Sequence, residues 1–169
     1  MQQGIYLWEN SPYVKNYPEL YFLNYVLFHR TNDEEIKPCR TYFWEKIKDK
    51  VQGKTMVEAA LEINHWCAGE VMYQGTDMRT GSALEIYRSG VGRCGEEAVF
   101  VVNVMRSAGI PARPVYVPRW SHCDDNHAWV ESGAMATGII WELASRSCSG
   151  QELVYQCSIQ GHDDRLQMV

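Results

Sequence analysis

The stretch from Gly90 to Glu131 constrains this chain more tightly than any other. It opens with Gly-Val-Gly-Arg-Cys-Gly-Glu-Glu, runs through an apolar segment to Gly109-Ile-Pro111, and closes on Asp-Asp-Asn-His-Ala-Trp-Val-Glu. From Glu96 to Ala108 the residues suit a continuous helix, Gly109 stands where a C-terminal cap belongs, and Pro111 blocks continuation. Cys94 therefore falls in the first turn of the expected helix. Further on, His127, Trp129 and Glu131 alternate with Ala128 and Val130, which is the period of a strand.

A thiol at a helix N-terminus lies near unpaired backbone N–H groups and the positive end of the helix dipole, both of which favour thiolate. The same N–H groups can hold a developing oxyanion. A strand that returns His127 to that terminus supplies the base which thiol acyl transfer requires.

Five blocks carry a resemblance beyond this pair. They are Asn64-His-Trp-Cys67, Tyr73-Gln-Gly-Thr-Asp-Met-Arg-Thr80, Gly92-Arg-Cys94-Gly-Glu, Arg106-Ser-Ala-Gly-Ile-Pro-Ala-Arg113 and Trp120-Ser-His-Cys-Asp-Asp-Asn-His127-Ala-Trp-Val-Glu. In that order they resemble the transglutaminase-like superfamily of papain-type thiol enzymes, in particular its bacterial branch, over roughly residues 42–131. The resemblance implies a mixed α+β (α/β) fold, with a nucleophilic cysteine at the start of a central helix packed on an antiparallel sheet that carries the histidine. It implies Cys94 as nucleophile and His127 as base, acting on a peptide or glutamine side-chain amide, with hydrolysis favoured over cross-linking. No metal or organic cofactor is required; calcium, used by some animal relatives, has no evident site. An upstream tryptophan supports the oxyanion in some relatives, which makes Trp66 a candidate for that role, although core packing is its commoner use.

Composition removes other classes. The chain has 169 residues, 46% of them apolar, enough for one domain with a sizeable core. A net charge of −5 gives no case for nucleic acid or an anionic membrane as partner. No apolar run spans a bilayer and the N-terminus lacks a basic leader, so a cytoplasmic setting is expected of the chain as given. Six cysteines at positions 39, 67, 94, 123, 148 and 157 have no short paired spacing, and free thiols are expected. A zinc site drawing on Cys67, Cys94, Cys123, His122 and His127 is the weaker alternative for the same reason. Gly90-Val-Gly-Arg-Cys-Gly95 matches a dinucleotide fingerprint in letters only, because no predicted strand precedes it and no acidic residue ends a second strand.

Along the chain, helices are expected over 17–30, 41–52 and 54–67, a loop over 75–82, a helical turn over 83–88, and an edge or interrupted strand over 113–117, where Pro114 and Pro118 stand. Asp77 and Arg79 are candidates to hold the loop as an ion pair. Residues 1–131 form the expected domain. Residues 132–169 read as an atypical tail without clear periodicity, where the family pattern calls for a second strand and an acid to orient the histidine. Codons for Gly133 to Ser147, read from the third base of the first, can spell Gly-Asp-Gly-Asn-Trp-His-Tyr-Leu-Gly-Ala-Cys-Glu-Pro-Glu. Those from Ser149 onward, read from the second base, can spell a further family-like stretch. Two small insertions or deletions, near Ser132 and Cys148, are therefore one account of the tail. In the chain as written, Glu142 is the candidate acid, fifteen positions after His127; without such an acid, an inactive binding module becomes the alternative.

Overall fold

The helix that begins at Cys94 is the axis of the molecule. In the computed structural model α6 runs Cys94–Ser107, and from Glu96 to Ser107 only Val101 escapes burial. A helix buried on all faces must be surrounded. It packs against α3 (Arg40–Val51), α4 (Met56–Glu70) and α5 (Ala83–Ser89) on one side, and against strands β3 (Ala112–Val117) and β4 (His127–Ser132) on the other. The structure describes residues 2–77, 79–119, 126–133, 139–143 and 157–159, with side chains described only between Gly4 and Gly133.

The sheet is antiparallel, in the order β3-β4-β5-β6, where β5 is Ile139–Leu143 and β6 is Cys157–Ile159. The mixed fold with its cysteine helix on an antiparallel sheet is thus as expected. β3 is an edge strand, which suits Pro114, a residue with no N–H to give to a neighbour. Two strands of two residues, β1 (Met72–Tyr73) and β2 (Val91–Gly92), pair in parallel and lead into α6. The tail differs from its reading as aperiodic: β5 pairs with β4, so residues 139–143 extend the same sheet. His122, Cys123, Cys148 and the stretches 134–138 and 144–156 lie outside the described residues.

Local chemistry explains the helix boundaries. Thr55 accepts from the Glu58 N–H at 3.3 Å while Glu58 accepts from the Thr55 N–H at 2.9 Å, a reciprocal cap that starts α4 at Met56. The far end of α6 closes by bonds from the Gly109 N–H to the Arg106 carbonyl (3.2 Å) and from the Ile110 N–H to the Met105 carbonyl (3.1 Å). Gly109 has φ +81°, and a Cβ there would lie 2.6 Å from Ser11 Oγ, so conformation and space both require glycine.

The helix expected over 17–30 is present but shorter, a continuous helical run over residues 19–27. The chain has α1 (Gln2–Asn10), a short α2 (Glu19–Phe22), and a wide π-type turn over Leu23–Leu27 that ends before Phe28. Two arginines take the carbonyls at that end: Arg40 donates to those of Leu27 at 3.1 Å and Phe28 at 2.8 Å, and buried Arg106 reaches further. Its guanidinium donates to the carbonyls of Phe28 and Arg30 at 3.0 Å each and doubly to that of Ala112, so residues 28–30 are drawn out of the helix to serve it. The core itself is aliphatic and aromatic: Phe43, Ile47, Ile63, Val99, Phe100, Val102 and Ile110 are fully buried.

Candidate active site

Cys94 is the first residue of α6 and is half-buried. Arg93 before it is extended, with ψ 170°, so the chain turns into the helix at the cysteine. Gly95 follows, and a Cβ on it would meet nothing among the described residues within 4 Å. Unlike Gly109, this glycine meets no packing constraint from the described residues.

His127 is the first residue of β4, 5% exposed, and stands in register with Val117 of β3. Burial alone pushes its imidazole below the ordinary value of 6.5, because a charged ring loses hydration there. Its ring stacks on Trp129 two residues along, with centroids 6.1 Å apart. The antiparallel register puts His127, Trp129 and Glu131 on one face with Arg113, and Glu131 accepts from Arg113 Nε at 2.8 Å. β4 packs directly on α6, so the element that begins with the histidine adjoins the one that begins with the cysteine.

Glu142 takes the position on β5 opposite Glu131. Glu131 is four residues along β4 from His127, about 13 Å at roughly 3.3 Å per residue. The register therefore does not bring Glu142 and His127 face to face. Trp66 lies on α4 with its ring 6.0 Å from both Tyr87 and Phe100, inside the aromatic cluster that also holds Phe43. Asp77 and Arg79 do pair, Arg79 Nε to Asp77 Oδ2 at 3.0 Å, but with side chains 56% and 90% exposed the pair is solvated.

The loop is held by other residues, which the sequence reading missed. Glu96, 6% exposed, accepts from the Gly81 N–H at 3.2 Å, from the Arg93 N–H at 3.2 Å and from the Thr76 hydroxyl. The Arg93 guanidinium lies 3.6 Å from the same carboxylate and donates to the Arg79 carbonyl at 3.0 Å. The signal was present in Arg93-Cys-Gly-Glu96, since a glutamate in the third helical position reaches back to the N-cap N–H.

Cys39, Cys67 and Cys94 are free thiols. Burial raises the Cys39 thiol to about 11 and pushes Cys67 well up, so neither is poised as a thiolate. Among the described residues no three His, Cys, Asp or Glu side chains are placed to share a metal ion. Among them, too, no helix is long and apolar enough to cross a membrane.

In fold, the chain is similar to a candidate cysteine protease from Cytophaga hutchinsonii, with a TM-score of 0.50 and 20% identity over 62% of this chain and 36% of that one. A candidate protease from Parabacteroides distasonis aligns at a TM-score of 0.49 and 14% identity over 63% of this chain and 23% of that one. The match thus spans about a third of the first structure's length and less than a quarter of the second's. No protein of curated function matches the sequence. The model of the transglutaminase-like superfamily matches residues 45–141. That match takes in α4, α5, the cysteine helix and the sheet as far as β5, more than half of the sequence, and the chain therefore belongs to the transglutaminase-like superfamily.

Proposed function

We propose that this chain is a thiol hydrolase of peptide or related amide bonds, with Cys94 as nucleophile and His127 as base. The observation that carries the reading is the junction of α6 and β4: a half-buried cysteine heads one element, a buried histidine heads the other, and the two elements pack together. With its imidazole held below 6.5 by burial, His127 is neutral at neutral pH and fit to take the thiol proton. Cys94 Sγ then bonds to the amide carbonyl carbon, and the carbonyl oxygen gains charge beside the N–H groups of the first turn of α6. Collapse breaks the C–N bond, and the imidazolium returns its proton to the departing amine. Water, activated by the same imidazole, releases the acid from the thioester.

That no described residue crowds Gly95 supports water or a small acceptor reaching the thioester. The reading rests on the cysteine and histidine and assigns no step to Glu142 or Trp66. The experiment is to quench the protein with acid during turnover of a panel of fluorogenic peptide amides, with and without a primary amine. Hydrolysis predicts an acyl adduct on Cys94 by mass spectrometry and free acid as the main product in both mixtures. Dominant amide exchange would turn the reading to cross-linking. No adduct and no release would leave a catalytically inactive module.

A further inference from the structure

We propose that Glu96 is a positioning residue that fixes the loop of residues 74–77 and 79–82 as a wall of the peptide-binding cleft beside Cys94; this rests on the reading of Cys94 as the nucleophile. The loop is polar and exposed over residues 74–77 and at Arg79, and its own bonds, from the Arg79 N–H and guanidinium to Asp77, are confined to its tip. Contacts from residues that flank the cysteine pin it. The Gln74 N–H donates to the Gly92 carbonyl at 2.9 Å. Arg93 donates to the Arg79 carbonyl at 3.0 Å. Glu96 accepts from the Gly81 N–H and from the Thr76 hydroxyl.

These contacts fall at positions 92, 93 and 96, on both sides of Cys94, so the loop is bound to the helix end that carries the thiol. Glu96 is the centre of the arrangement because its two oxygens serve both limbs of the loop and the Arg93 N–H at once. A buried carboxylate with this many donors is rigid, since each lost bond leaves a desolvated group unsatisfied. Gly92 fits the same design: a Cβ there would lie 3.1 Å from Glu96 Cβ. A glutamate two residues after a nucleophilic thiol opposes thiolate formation by charge, so its part here is to hold the loop and not to activate the thiol.

The test compares wild type with Glu96→Ala, Glu96→Gln and Thr76→Val. Two alkylating reagents are used: iodoacetamide, small enough to report the thiol alone, and an acetyl-tri-alanyl chloromethyl ketone, which must lie in the cleft. Glu96→Ala is expected to lower the ratio of peptidyl to iodoacetamide rate about tenfold, Glu96→Gln and Thr76→Val by less. Brief trypsinolysis reports the loop independently: cleavage after Arg79 should quicken about tenfold in Glu96→Ala. An unchanged ratio, or a parallel fall in both alkylation rates, overturns the proposal, as does wild-type cleavage at Arg79. If Glu96→Ala fails to fold, Thr76→Val carries the same comparison with one donor removed. A wild type whose peptidyl reaction matches that of His127→Ala is a failure of the catalytic reading, and the trypsin result still judges the clasp.

Discussion

The two ends of α6 are built on opposite plans. At the C-terminal end side chains close off backbone groups: Ser11 Oγ donates to the Ala108 carbonyl at 2.9 Å, the Tyr17 hydroxyl donates to the Gly109 carbonyl at 2.6 Å, and Arg106 satisfies three further carbonyls. At the N-terminal end a thiol is half-exposed, the next residue is a glycine with space beside it among the described residues, and polar contacts hold an exposed loop alongside. Each end has its glycine. Gly109 is required by φ +81° and by the contact with Ser11, whereas no described residue crowds Gly95. A glycine inside a helix costs roughly 0.5–1 kcal/mol relative to alanine, so an unforced one marks a position where room outweighs stability. One end of the helix anchors the fold; the other is left accessible for chemistry.

Substitutions at the two ends should therefore separate activity from stability. The largest effect expected is on turnover: Cys94→Ala should reduce peptide-amide hydrolysis by at least about a thousandfold, roughly 4 kcal/mol of barrier, while the melting temperature stays unchanged. A fall in melting temperature with retained hydrolysis would reverse the assignment of the two ends. Next comes Arg106→Ala, which strips the buried carbonyls of their donor and should cost about 3–5 kcal/mol in urea unfolding. Burial already lowers the Arg106 guanidinium to about 10, a sign of how fully it is removed from water.

The glycines sharpen the contrast. Gly109→Ala forces a left-handed alanine against Ser11 and should destabilise by about 2–4 kcal/mol. Gly95→Ala should leave stability equal or raise it by up to about 1 kcal/mol, yet slow a peptidyl alkylating reagent at Cys94. Equal loss of stability in both would end the comparison. The smallest effect is on pH dependence. The folded His127 imidazole lies below the unfolded value of about 6.5, so as pH falls below that value the unfolded chain takes up the proton first. Stability should decline from there until the folded imidazole titrates, with a slope of at most about 1.4 kcal/mol per pH unit. His127→Gln should flatten that slope in urea melts collected across the range.

The anchored end was the more legible in the sequence. An uninterrupted apolar run, Gly109 and Pro111 locate the helix and its stop, because glycine and proline act on the local backbone. The periodicity of His127-Ala-Trp-Val-Glu131 likewise gave β4 and its two faces. The helix expected over 17–30 runs only from 19 to 27, since Arg40 and the distant Arg106 take the carbonyls of Leu27, Phe28 and Arg30, a need that leaves no local trace. The clasp at Glu96 was missed for a related reason. Its partners Thr76 and Gly81 are twenty and fifteen residues away, and only the tertiary fold brings them to the helix end. The resemblance read from the motifs stops at Glu131, whereas the superfamily match reaches residue 141; β5, which pairs with β4, shows no alternation to reveal it.

The pH dependence of iodoacetamide labelling at Cys94, in wild type and in His127→Ala, tests the central claim most directly. A thiol served by the helix terminus and by His127 should label well below the unperturbed thiol value of about 8.5, and its profile should move when the imidazole is removed. Slow labelling with the same profile in both proteins would contradict the pairing of Cys94 with His127, and with it the reading of the open end of α6 as an active site.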